Sequence, residues 1–253
     1  MSGRRIVCGL HAAQSALEHT PDKIHAAWLD PRRGDARLDK IRLGLQAQDI
    51  TITDADRRQL DKLSDGGNHQ GVVLRLELPR ELGEDELFER LAALNHPPLL
   101  LVLDQVQDPH NLGACLRSAD AAGVDAVIIT KDQSVGLTPT AYKVASGAAE
   151  TVPIHRVTNL ARTLRGLKDA GVWIAGAAGE ATQSVYDTDL AGPLALVVGG
   201  EGKGMRRLTR EHCDWLVSLP MAGTVSSLNL SVATGVLLYE AVRQRRIPPR
   251  GKP

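Results

Sequence analysis

One pattern governs the chain from Leu99 onward: short, unbroken apolar runs alternate with stretches of helical spacing. Leu99-Leu-Leu-Val-Leu103 and the runs at 126–129, 172–175 and 194–198 are apolar throughout, as strands buried on both faces must be. Between and after them, residues 112–122, 139–149, 160–170 and 205–212 place apolar side chains at helical intervals. Parallel strands need crossover connections, so this alternation predicts an α/β architecture, a mostly parallel sheet with helices on both faces. Ligands of such sheets sit beyond the carboxyl ends of the strands. That rule directs attention to the loops at 104–111, 130–136, 199–204 and 220–229, where glycine and polar residues concentrate.

The first third obeys another grammar. Helical spacing at 9–19, 35–48 and 56–63 alternates with strand patterns at 25–29, 50–53 and 71–78, which predicts a small α/β unit over residues 1–79. Asn68-His-Gln-Gly71 reads as a turn that holds the last of these strands. Residues 80–97 set Arg80 and Arg90 against Glu81, Glu84, Asp85, Glu86 and Glu89 and end in Asn95-His-Pro-Pro98. An acidic helix acting as a linker is expected there. A larger domain at 98–246 and a basic tail at 247–253 complete the expected organisation.

Charge gives no simple answer. Lys+Arg and Asp+Glu number 30 each, so no overall basic field announces a nucleic-acid partner, and only local clustering could. The small unit holds three arginine pairs, Arg4-Arg5, Arg32-Arg33 and Arg57-Arg58. Such pairs are most often solvated surface, yet three of them keep a phosphate-binding face open. Phe88 is the one phenylalanine, and scarce aromatics argue against binding single strands through stacked rings. Cys8, Cys115 and Cys213 are far apart and form no CxxC, which suits a reducing compartment and offers no zinc site. With no apolar run of membrane length and no secretory leader pattern, a cytoplasmic protein without a membrane partner is expected.

Two nucleotide motifs fail. Gly199-Gly-Glu-Gly-Lys-Gly204 lacks the Ser or Thr that should follow Lys203, and Val197 stands where a phosphate loop needs its first glycine. Neither this segment nor Gly176-Ala-Ala-Gly179 spells a dinucleotide fingerprint. What remains is a strand ending in two glycines, followed by Glu201: a flexible turn, or a place where backbone approaches a ligand.

Two further stretches carry unusual polarity. After a strand-like end at 214–219 and Pro220, a polar loop is expected to open a helix whose first turn holds Ser226, Ser227 and Asn229. That is more than a cap requires, and the apolar character of 232–242 predicts a buried helix start, so the turn is either an elaborate cap or part of a binding site. In Asp104-Gln-Val-Gln-Asp-Pro-His-Asn-Leu-Gly-Ala-Cys-Leu-Arg117, Asp108-Pro109 sets a turn, Asn111 stands at a helix entrance and Gly113 thins the first turn. At about 100° per residue, Asn111 and Arg117 fall on opposite sides of the axis. One ligand meets both only by wrapping the helix end, or through the arginine's reach.

Taken together, Asp108-Pro-x-Asn111-x-Gly113-x-x-x-Arg117, then Gly199-x-Glu201-Gly202, then Leu219-Pro220-Met221 joined with Ser227-Leu228-Asn229-x-Ser231-x-Ala233 resemble the three motifs of the SpoU family of RNA ribose 2′-O-methyltransferases. The match spans the whole second part, in the family's order. His69-Gln-Gly-Val-Val73 and Lys143-Val-Ala-Ser-Gly-Ala-Ala-Glu150 are similar to the subgroup acting on guanosine in bacterial 23S rRNA. Gly200 and Leu219 depart from the Ala or Ser and the Ile that are common there.

The resemblance implies a SPOUT-type trefoil-knotted domain working as a homodimer, preceded by a small ribosomal-protein-like RNA-binding domain. It implies S-adenosylmethionine as methyl donor, held near Gly199, Gly200, Leu219, Met221 and Leu228, with no metal. Asn111, Arg117, Glu201, Ser227 and Asn229 would form the reaction centre, some of them across the dimer. The implied target is the ribose of one guanosine in 23S rRNA, in the P-loop of the peptidyl-transferase centre. A transfer-RNA ribose methylase of the same family and a non-catalytic rRNA assembly factor are the alternatives.

Overall fold

The computed structural model describes residues 4–77 and 81–246. Leu78, Pro79 and Arg80, and the basic tail expected at 247–253, lie outside the described residues. The chain divides into two compact units, Met1–Arg80 and Glu81–Pro253.

The first unit runs β1 (Arg4–Cys8), α1 (Leu10–His19), β2 (Ile24–Leu29), α2 (Ala36–Ala47), β3 (Ile52–Asp54), α3 (Arg57–Leu63) and β4 (Val72–Glu77). Its sheet order is β1-β4-β2-β3; β4 is antiparallel to β1 and β2, whereas β2 and β3 are parallel. Leu10, Ala13 and Ala16 of α1 and Leu38, Ile41 and Leu45 of α2 fill the core against Leu74 and Leu76, the spacing that puts one helix stripe on a sheet. β1 escapes sequence reading because only Val7 of its five residues is buried. Gln70 accepts through Oε1 from the N–H of Leu10 (3.1 Å), and His69 Nδ1 accepts from the N–H of Gly71 (3.1 Å). The turn before β4 is thereby stitched to α1.

In the second unit come α4 (Glu84–Ala93), β5 (Leu99–Asp104), α5 (Pro109–Ala122), β6 (Ala126–Thr130), α6 (Pro139–Ala145), α7 (Ala148–Thr151), β7 (Ile154–Val157), α8 (Leu160–Asp169), β8 (Trp173–Ala177), β9 (Gln183–Ser184), β10 (Leu194–Gly199), α9 (Arg207–His212), β11 (Trp215–Ser218) and α10 (Leu230–Arg246). Seven strands lie in the order β7-β6-β5-β10-β8-β11-β9, all parallel. Leu100, Val102, Ile128 and Val197 share a cluster with Leu87 of α4 and with Leu160, Leu164 and Leu167 of α8. The alternate residues Leu101, Leu103, Val127 and Leu196 are equally buried. Because successive strand residues face opposite ways, both faces of the sheet are covered. The acidic segment is helical as α4 and seats Leu87 in this core.

Three expectations change. The helix expected at 139–149 is two, α6 and α7, because Ser146 (φ 53°) and Gly147 (φ 100°) turn left-handed between them. α10 begins at Leu230, so Ser226 and Ser227 belong to the preceding loop. The helix start is also less buried than its composition predicts: Val232 is 50% exposed, and Val225 just before it 62%. β7 and β9, each four residues or fewer, are too short to announce themselves by pattern.

α5 meets α6 through Gly113, where an added Cβ would stand 2.5 Å from the Ala141 carbonyl oxygen and 2.7 Å from Val144 Cβ. The first of those contacts is rigid backbone. Gly113→Ala is therefore expected to lower the urea-unfolding free energy by about 1–3 kcal/mol, the range of core overpacking.

Candidate active site

The sheet reverses its chain order at β5 and β10. From β5 the chain builds outward to β6 and β7, then returns so that β10 pairs directly with β5, Gly199 opposite Asp104. A crevice at the carboxyl ends of those strands is where such sheets bind ligands.

Asp108 caps α5, its Oδ1 accepting from the N–H of His110 (2.8 Å), and Pro109 takes a position where its missing N–H costs nothing. Asn111, in the first turn of α5, is 8% exposed. Its Nδ2 donates to Glu201 Oε1 (2.7 Å), and its Oδ1 accepts from Asn229 Nδ2 (3.0 Å). At the other end of Asn229, Oδ1 accepts from the N–H of Ser231 (2.9 Å), from Ser231 Oγ (2.7 Å) and from the N–H of Val232 (3.4 Å).

The chemistry of the partners fixes the polarity of this chain. Main-chain N–H groups need an acceptor, so Asn229 must turn its oxygen to α10 and its amide nitrogen to Asn111. An ionised Glu201 only accepts, so Asn111 must present nitrogen to it and oxygen to Asn229. Hydrogen-bond donation thus runs one way, from Asn229 through Asn111 to Glu201. Asn229 does the two things its sequence context left open: it caps a helix and joins the site.

The other expected residues sit nearby or apart. Gly199 ends β10 and Gly200 follows it, both half-buried; a Cβ on Gly199 would meet the Gly204 carbonyl carbon and the Met205 nitrogen at 2.1 Å, and one on Gly200 the Gln105 oxygen at 2.2 Å. Leu219 and Met221 are half-buried, while Ser227 is exposed and Leu228 is 38% exposed, in the loop before α10. Among the described residues, the main chain of residues 221–228 makes no hydrogen bond to protein. Its N–H and C=O groups are left for a ligand or solvent, in a segment that also carries the apolar Met221, Val225 and Leu228, an arrangement that suits a flat heterocycle with a polar edge. Arg117 is exposed, on the side of α5 away from the buried Asn111. One chain therefore unites Asn111, Glu201 and Asn229 and leaves Arg117 and Ser227 outside the hydrogen-bonded chain.

Sequence reasoning did not single out Asp104 or Arg206. Asp104 ends β5 with 0% exposure and holds the main-chain N–H and the Nε of Arg206 at 2.9 and 2.8 Å. An acid closing an otherwise apolar strand was the available signal.

Two family models match this chain: the SpoU rRNA methylase family over residues 98–239, and RNA 2′-O ribose methyltransferase substrate binding over residues 6–82. The chain is 54% identical over 248 residues to the 23S rRNA (guanosine-2′-O-)-methyltransferase RlmB of Pseudomonas putida, which covers 98% of this chain and 99% of that one. To the protein of the same name from Haemophilus influenzae it is 56% identical over 240 residues, 94% and 97% of the two chains. Among solved structures it is similar to the SpoU methyltransferase AviRb from Streptomyces viridochromogenes in complex with the cofactor AdoMet. The TM-score is 0.79 at 26% identity, covering 96% of this chain and 91% of that one.

The double duty of Asn229 is separable. Asn229→Ala loses the cap and is expected to cost about 1 kcal/mol in chemical unfolding. Asn229→Asp keeps an acceptor for α10 and should stay within about 0.5 kcal/mol of the native chain, although its bond to Asn111 is gone.

Proposed function

The chain belongs to the SpoU family of rRNA methylases, and from that premise we propose that it transfers a methyl group from S-adenosylmethionine to the ribose 2′-hydroxyl of a guanosine in 23S rRNA. The observation that carries this reading is the Glu201–Asn111–Asn229 chain at the lip of β5 and β10, beside a loop of open main chain. Near-full-length identity to the 23S rRNA guanosine methyltransferases supports the substrate. The P-loop of the peptidyl-transferase centre is the proposed location of that guanosine, and the cytoplasm the proposed compartment.

Gly199, Gly200, Leu219, Met221 and Leu228 would hold the methyl donor, the glycines by close backbone approach and the loop by its free N–H and C=O groups. When bound, the donor supplies an electrophilic methyl on a cationic sulfonium, so transfer discharges a positive charge. The chain's main task is then in-line alignment of the ribose oxygen. Asn111 and Asn229, whose amides are fixed in polarity, orient the ribose; Glu201 locks Asn111; Ser227 shapes the loop edge. Arg117 serves as an electrostatic stabiliser of the developing alkoxide or the adjacent phosphate, because a guanidinium is a fixed positive charge with a planar fork of donors rather than a base.

Arg117 faces solvent in a single chain, and Val225, Leu228, Val232 and Tyr239 expose apolar surface on the loop and on α10. Both observations support a homodimer in which Arg117 serves the partner's site. A knotted path is supported by the return of the chain end from β11 to pack α10 against α5 and β10. The RNA-binding role of the first unit is supported by Arg32-Arg33 and Arg57-Arg58, which follow the carboxyl ends of the parallel strands β2 and β3 and so share one edge. Arg4-Arg5 opens β1, a strand running in the same direction, and lies at the other end.

Labelled methyl from S-adenosylmethionine should reach 23S rRNA and map to one guanosine ribose; its failure to appear on any rRNA would sink the reading. Chains carrying Asn111→Ala and chains carrying Arg117→Ala should each be inactive alone. Mixed after refolding, they should regain about a quarter of native activity, since half of random dimers are mixed and each carries one intact site. No recovery would place Arg117 in its own chain's site.

A further inference from the structure

Hydrogen bonding explains how Asn111 and Asn229 are held, but not how Glu201 is. Glu201 is exposed on a loop in which Gly202 and Gly204 adopt φ of 82° and 66°. Glycines there permit many conformations, so a side chain on this loop finds one position only if the loop itself is fixed.

Asp104 fixes it at both ends. Its main-chain carbonyl accepts from the N–H of Gly200 (2.7 Å). Its carboxylate accepts two hydrogen bonds from Arg206, Oδ2 from the main-chain N–H and Oδ1 from Nε. The N–H of Gly204 closes the loop onto the Gly200 carbonyl at 3.1 Å. Asp104 also begins the connection that leads to Asn111, so one buried residue is the reference point for both partners of the Asn111–Glu201 bond.

Stability alone does not account for this choice. The remainder of β5 is apolar and fully packed, and a buried ion pair seldom outperforms apolar side chains of the same volume. The Arg206 side chain is 40% exposed while the Asp104 side chain is wholly buried, so the charge stands at the lip of the sheet, at the far end of the loop that carries Glu201. We propose that Asp104 and Arg206 are positioning residues. They hold the segment from Gly200 to Arg206 so that Glu201 Oε1 meets Asn111 Nδ2 and sets the Asn111 amide for transfer. The assignment rests on the methyl-transfer reading above.

The test is steady-state methylation of 23S rRNA by full-length Arg206→Met, with Arg206→Lys beside it. Arg206→Met is expected to lower kcat on the order of 10- to 100-fold, as small misplacements near reacting groups do, with KM for rRNA within about twofold. In a Glu201→Ala background the same substitution should change kcat by less than about twofold, because a residue acting through Glu201 has nothing left to position. Arg206→Lys should fall between native and Met. If Arg206→Met does not fold, Asp104→Asn replaces it in the same cycle, since it keeps the shape and leaves no unpaired buried carboxylate. An unchanged kcat, or an equal drop with and without Glu201, overturns the assignment while leaving an active native enzyme. A native chain that transfers no methyl overturns the functional reading as well, and the two failures are thereby told apart.

Discussion

The site depends on one seam, the parallel pairing of β5 with β10. Residues 99–104 and 194–199 are remote in sequence, and their register sets Asp104 against Gly199. That register carries Asn111 forward on one side and Glu201 on the other. Side chains on Gly199, which ends β10, and on Gly200 just after it would overlap main chain of the returning loop and of Gln105 at 2.1 and 2.2 Å, so the tip of the seam closes only with glycine there. Shifting the register by one residue would exchange Ala195 and Val197 with Leu194, Leu196 and Val198 between the two covered faces, and neither close-packed side would fit. Packing of the whole sheet therefore enforces the alignment that the site requires.

Much of the fold was legible because burial on both faces leaves a plain mark. An unbroken run such as Leu99 to Leu103 or Leu194 to Val198 fits poorly anywhere but inside a covered sheet, and the helices between follow from their spacing. Short strands left no such mark: β7 includes His155 and Arg156 among its four residues, and β9 has two. The start of α10 differs from its pattern because two serines before an asparagine look like a first turn, while Asn229 alone makes the capping bonds. Helix geometry did separate Asn111 from Arg117, and the structure keeps them on different sides of α5.

The convergence of Asn111, Glu201 and Asn229 could not be read from residues alone. It depends on strand order, and periodicity says that a strand exists without saying which strand lies beside it. Resemblance to a family implied the grouping of these residues in one reaction centre without any strand order. Asp104 shows the complementary limit. Its burial is a tertiary fact, and a single acid at the end of an apolar run reads equally as a strand terminus or as a buried anchor.

α10 is moored at both extremities. Asn229 caps its beginning and reaches Asn111, while near its end Arg245 donates to the carbonyls of Pro97, Pro98 and Gly192, where β5 and β10 begin. The loop before α10 starts from β11, which is paired on both sides in the sheet, and so spans two fixed abutments. Its polypeptide can bow but not swing away, so a guest molecule seated along it freezes only the slack of a short arch and leaves the helix behind it undisturbed.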